Sequence, residues 1–337
     1  MAVPPVPEFP VRDLKLEALA RLGQENWDIP RLEGSPLEGV ATSFRANIAT
    51  VRFMMSLPTS IVSAMALTQR CHDLAEFQVT GQLGNTLTED ENIKAALIAK
   101  EMLDKERNRN EELRQTPGWD GHVLDYHLNA ARSLSSFADT PIGAYGFIPL
   151  LSGCITGTWT AIETMLADLW EAALNAHPRT LASLNGKPKK DADKNQYDKN
   201  PSDQDKKLDL NVVAKHGFDL RVHMGSILRS ARRFEFARLS GAREAYMRAF
   251  SEKSSRVETA IANKSMDALS AVRNALLHRA AVADDEYVRQ QKFLAIPKAD
   301  KGERIRLDGQ NTSDLIRPAI ASSRSLMIAV DDWIREN

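Results

Sequence analysis

From Leu151 to Leu169, the large apolar residues Leu151, Ile155, Trp159, Ile162, Leu166 and Leu169 recur at intervals of four, four, three, four and three. That is the period of an α-helix, and an apolar face this wide has to be covered by other elements. Nearly every other periodic stretch of the chain repeats at the same interval. Alternating strand patterns are scarce and no internal repeat is visible, so the sequence predicts an all-α, up-and-down helical bundle.

The same region tests whether the chain enters a membrane. Thr140 to Ile162 carries no formal charge and is long enough to span a bilayer. It also contains Pro141, Pro149 and four glycines, and runs directly into TAIETMLADLWEAAL. These features predict a buried core helix and no membrane partner. The N-terminus, MAVPPVPEFP, is proline-rich and has no basic stretch followed by an apolar run, so it does not read as a secretory signal. The 337 residues are 43% hydrophobic and 26% charged, with a net charge of −1. No basic field marks the whole chain for nucleic acid, and any RNA contact must come from a local patch. Cys71 and Cys154 stand far apart, fit no metal spacing and suggest no disulfide framework. A cytoplasmic location is expected.

Helices are predicted at 11–22, with Gly23 as the stop, at 40–57 and at 60–79. Thr88 and Glu91 form a capping box that opens a helix to about Arg114. QTPGWDG at 115–121 is a break, followed by helices over 122–137 and 150–176. Residues 178–210 are polar and charged and read as a flexible insertion. Helix resumes over 211–250, then from Ser254 to Arg279, with a short turn at 284–293, a small β-excursion at 301–309 and a final helix over 313–335. The domain reading is an N-terminal helical region, 1–117, whose role is not legible, and a bundle, 118–337, that carries the insertion.

The segment 267–279 departs from an ordinary core helix. Ala268, Leu269, Val272, Ala275 and Leu276 share one broad face. Asp267, Ser270, Asn274 and His278 form a polar stripe on the other side, with Leu277 beside it. Polar groups mixed with a large apolar residue suggest a surface that meets a subunit or a substrate. Within this helix Arg273, Asn274 and His278 read R-N-x-x-x-H. An imidazole suits proton transfer near neutral pH. A guanidinium presents a fixed fork of donors to a phosphate. Asn274 stands four residues before His278, within reach to orient its ring. These are the parts needed to break a phosphodiester without a metal. His278 takes the proton from a ribose 2′-hydroxyl or gives one to the leaving 5′-oxygen, and Arg273 stabilises charge on the phosphoryl oxygens. On a straight helix Arg273 and His278 lie about 140° apart, which predicts a composite site made by two copies packed through this helix.

These residues resemble the motif of the HEPN superfamily, small all-α bundles of which many are metal-independent endoribonucleases. Arg273, Asn274 and His278 match the family's arginine, polar residue and histidine. DDEYV after the motif, Ala161-Ile162-Glu163 and Leu169-Trp170 on the long helix, and VDDWI near the end are similar to the family's flanking segments. The resemblance covers about residues 140–337 and leaves the N-terminal helices as an addition. It implies an RNA substrate, a homodimer, no cofactor, no metal, and a toxin–antitoxin or anti-phage defence setting with a partner protein. The family also contains inactive members, so a non-catalytic RNA- or protein-binding module remains the second reading. A structural helical protein with a chance motif is the third.

Further RNA contacts are expected from Ser270, Arg279, Arg229, Arg232 and Arg233, the last three in an arginine-rich stretch interleaved with Phe234, Phe236 and Tyr246. The opposing view of 229–248 is a solvated face with its aromatics in the core and its charges paired. His122 and His127, and likewise His216 and His223, lack the spacing of a helical metal pair. His72 beside Cys71 and the turn GQLGNT at 81–86 carry no catalytic or phosphate-binding pattern.

Overall fold

The computed structural model describes residues 13–84, 86–184, 210–231 and 234–337. Among the described residues, the secondary structure is helical with no strand. The helices are α1 (Leu16–Gln24), α2 (Glu38–Thr80), α3 (Glu89–Leu113), α4 (Trp119–Ala138), α5 (Pro141–Ala176) and α6 (Pro178–Leu181). They continue with α7 (Leu210–Lys215), α8 (Leu220–Ser230), α9 (Leu239–Phe250), α10 (Ser255–Ile261) and α11 (Lys264–His278). The last two are α12 (Asp285–Gln290) and α13 (Gly309–Glu336). The polar insertion falls largely outside the described residues, as do Arg232 and Arg233.

The chain divides into two compact units built from interleaved segments. One comprises Met1–Glu25, Arg52–Leu151 and Asp308–Ser313, and the other Asn26–Val51, Ser152–Leu307 and Asp314–Asn337. The partition therefore does not follow a single boundary after residue 117.

In the first unit α1 packs on α4. Leu14, Leu16 and Ala20 are buried with Leu128, Ala131, Ala138 and Phe147. Gly23 does not stop α1. It is buried inside the helix, and a Cβ there would lie 2.6 Å from Ser56 Oγ on α2, so the small residue permits close approach. Two helices expected at 40–57 and 60–79 are one, because α2 continues through Pro58. Residues Phe53 to Gln69 carry no charge, and although Met55 is buried, several polar side chains there face inward and several apolar ones outward. Thr59 and Ser63 are buried, whereas Phe53, Leu57, Ile61 and Met65 are exposed. By length and composition α2 is the one helix among the described residues that is apolar enough to cross a membrane. The Thr88 capping box is present, with Glu91 N donating to Thr88 Oγ1 and Thr88 N donating to a Glu91 carboxylate oxygen.

The second unit is organised around α5. Leu166, Leu169 and Trp170 are fully buried, and the helix begins earlier than its apolar period suggests, running through Pro149. Two reciprocal bonds lock it to α9. Trp170 Nε1 donates to Ala245 O at 3.0 Å, and the Tyr246 hydroxyl donates to Leu166 O at 2.8 Å. Phe234 and Phe236, both half-buried, pack their rings on the buried Trp170, so these aromatics border the core. The predicted helix over 211–250 is broken into α7, α8 and α9. The first break falls where Gly217 and Phe218 adopt positive φ. At the second, the backbone of Glu235 presses on Gly241. The expected β-excursion is a single antiparallel bridge between Val282 and Arg304.

Candidate functional site

The candidate site is an open groove of about 710 Å³ in the second unit. α11 supplies Ser270, Arg273, Asn274 and His278, the segment entering α9 and its first turn supply Glu235, Arg238 and Ser240, the turn after α11 supplies Arg279 and Asp284, and α12 supplies Glu286 and Gln290.

α11 is fixed at both ends. At its start, the Asn263 side chain accepts from Ser265 N at 2.9 Å, and Ser265 Oγ bonds Ser322 Oγ on α13 at 2.7 Å. Arg243 of α9 then clamps the same turn. Its guanidinium reaches both Asp267 carboxylate oxygens at 2.5 and 2.8 Å and the carbonyls of Ile261 and Asn263. Asp267 is thus spent on holding the helix and is not part of a ligand surface. Ala268, Leu269, Val272 and Ala275 are buried on the face their spacing predicts, and Leu276, expected with them, is half-buried. Leu277 is exposed beside the polar stripe.

At the other end α11 stops at His278 because the chain turns left-handed. Ala280 and Ala281 have φ of 51° and 63°, and Ala281 N donates back to Ala275 O. The reversal lays α12 beside α11. Asp284 caps α12 by accepting from Tyr287 N, and the buried Tyr287 donates its hydroxyl to Pro297 O. Burial raises the Tyr287 phenol well above its ordinary range, which keeps it a neutral anchor.

The structure brings Arg273, Asn274, His278, Ser270 and Arg279 to one groove. The angular separation of Arg273 and His278 on the helix does not exclude a site within one chain, because the groove wraps the end of α11 and takes in both side chains. Asn274 does not take the role expected of it. Its Oδ1 accepts from Arg273 Nη1 at 3.0 Å, and among the described residues no hydrogen bond joins it to His278. His278 is exposed, so it is not a satisfied core histidine.

The charges of the groove are balanced. Arg238 faces Glu235 at 3.5 Å, Arg279 faces Asp284 at 3.2 Å, and Arg273 faces Glu163 of α5 at 3.9 Å. Glu286 is paired with Arg289. Arg229 does not line the groove. Its guanidinium is held by Asp168 at 2.6 Å and Glu171 at 2.7 Å, beside Ser226 and Asn175. That network joins α8 to α5 where Gly225 sits directly on the Glu171 carbonyl. Arg232 and Arg233 lie outside the described residues. Among the described residues no group of three or more His, Cys, Asp or Glu side chains gathers to hold a metal. Both cysteines are free and buried, and burial pushes the Cys154 thiol up to about 12.

Sequence reasoning placed Arg238 and Glu235 only within the arginine-rich stretch 229–248, apart from the motif, and it missed Ser240, Glu286 and Gln290 as lining residues. Glu235, Arg238 and Ser240 stand more than thirty residues before His278, and no local pattern ties them to it. Comparison with known protein families, curated proteins and solved structures gives no match.

Proposed function

We propose that the chain is a metal-independent endoribonuclease of HEPN type. One observation carries the reading: Arg273 and an exposed His278 line the same groove on one helix. His278 is accessible to exchange a proton with the ribose 2′-hydroxyl or the leaving 5′-oxygen. Arg273 lines the groove with one guanidinium nitrogen bonded to Asn274, and in this reading it opposes charge on the phosphoryl oxygens. Attack by the 2′-oxygen on phosphorus breaks the bond to the 5′-oxygen. The products are a 2′,3′-cyclic phosphate and a 5′-hydroxyl.

The test is cleavage of RNA in EDTA. His278→Ala and Arg273→Ala are each expected to lower the rate by about 100-fold or more. Wild-type protein that leaves RNA intact, or variants that cut as well as wild type, would sink the reading. A homodimer through the exposed end of α11, with Leu277 at the contact, belongs to the same proposal, and light scattering of wild type against Leu277→Lys tests it.

A second reading has its own support. Each groove arginine already faces a carboxylate, which lowers the attraction for a polyanion. A non-catalytic module that docks RNA or a protein in the same groove fits that balance. Binding without cleavage, unaffected by His278→Ala, distinguishes it.

A further inference from the structure

Behind the groove, α5 places a carboxylate against Arg273. Trp159 and Glu163 stand one helical turn apart, and the indole Nε1 donates to Glu163 Oε2 at 3.0 Å. Trp159 is 1% exposed, so its ring is a fixed post. The same Glu163 oxygen lies 3.9 Å from Arg273 Nη2, and Arg273 Nη1 donates to Asn274 Oδ1. The guanidinium therefore hydrogen-bonds one oxygen from its own helix and faces a second, from a core helix, at ion-pair distance. The side chains of Arg273 and Glu163 are 21% and 28% exposed, which protects their attraction from much of the solvent's screening. Glu163 does not line the groove, so any effect it has on a ligand passes through Arg273.

We propose that Glu163, anchored by Trp159, is the positioning residue that sets the place of the Arg273 guanidinium in the groove. The inference rests on the ribonuclease reading for its catalytic consequence. A fixed carboxylate does two opposed things to an arginine that meets a phosphate. It holds the fork in one geometry, which favours the transition state. It also offsets part of the guanidinium's charge, which weakens the hold of Arg273 on the ground-state phosphate. Removing only its charge separates the two effects.

Glu163→Gln keeps the shape and an acceptor for the Trp159 N–H. It is expected to lower kcat by about tenfold while KM for an RNA oligonucleotide falls, and a loss of general structure does not produce that split. In an Arg273→Ala background the same change is expected to have no further effect. Trp159→Phe, which removes the indole N–H and keeps a ring in the core, should lower kcat in the same direction. Independently of any substrate, the Arg273 Nε–H signal in nitrogen-edited NMR should shift and exchange faster with water in Glu163→Gln. Kinetic constants within about twofold of wild type, together with an unchanged Arg273 signal, would overturn the proposal. So would an effect of Glu163→Gln that persists without Arg273. If wild-type protein does not cleave RNA, the ribonuclease reading falls by itself, and the Arg273 signal still decides whether Glu163 positions it.

Discussion

His127 shows how one buried residue links stability to pH. It is 7% exposed, and its Nδ1 lies 2.7 Å from Thr59 Oγ1. Thr59 already donates its only hydroxyl proton to Ser56 O, so it accepts from His127, whose neutral ring carries its proton on Nδ1. Burial lowers the imidazole pKa. The unfolded chain then takes up a proton more readily than the folded one. This contribution to stability is complete above the unfolded value of about 6.5 and is lost as pH falls through the folded value. Thermal unfolding followed from pH 7.5 to 5 should show that fall, and His127→Gln should flatten it. Arg243 is the matching case among the charged residues. Its clamp on Asp267 and two carbonyls is partly buried, and Arg243→Ala should cost roughly 2 kcal/mol by chemical denaturation. The residue composition of 229–248 permitted both an RNA track and a paired helix face. Arg243 and Tyr246 are structural, whereas Arg238 reaches the groove, and only the partners of each residue separate them.

The element scale decides the shape of the groove. A Cβ on Gly241 would lie 2.3 Å from Glu235 O, a backbone atom with no freedom to yield cheaply. Gly241→Ala should displace the segment from Glu235 to Arg238, destabilise the protein by roughly 1–3 kcal/mol, and impair groove function without touching α11. RNA binding and a denaturation curve measured together check this. The left-handed turn after His278 makes the opposite prediction. Ala281 at φ 63° pays a steric penalty that glycine lacks, so Ala281→Gly should leave stability equal or raise it by up to about 1 kcal/mol. Clear destabilisation would show that the Cβ of Ala281 matters more than its backbone strain. Proline and glycine misled the sequence reading of elements in both directions. Pro58 and Pro149 sit inside continuous helices because packing along the rest of each helix outweighs one missing donor. Gly217 and the 234–238 segment interrupt what the apolar period alone joined.

At the scale of the whole molecule, the two units are each assembled from separate stretches of chain. A fragment of residues 118–337 loses α1, and with it Leu14, Leu16 and Ala20, which cover Leu128, Ala131 and Phe147 on α4 and α5. Such a fragment should bind a hydrophobic dye and show reduced helicity over α4. A fragment as helical and dye-silent as the full chain would refute this account. The sequence by itself determined the all-helical class, the buried face of α5, the capping box at Thr88 and the polar stripe on α11, because each is a local matter of period and hydrogen-bond chemistry. Only the tertiary structure decided which segments complete each unit, that Arg273 and His278 share one groove, and that Asn274 and Glu163 both turn toward Arg273. The make-up of the units and the pairing of Glu163 with Arg273 depend on residues brought together from distant positions, and spacing along a chain carries no information about which distant carboxylate will face a given arginine.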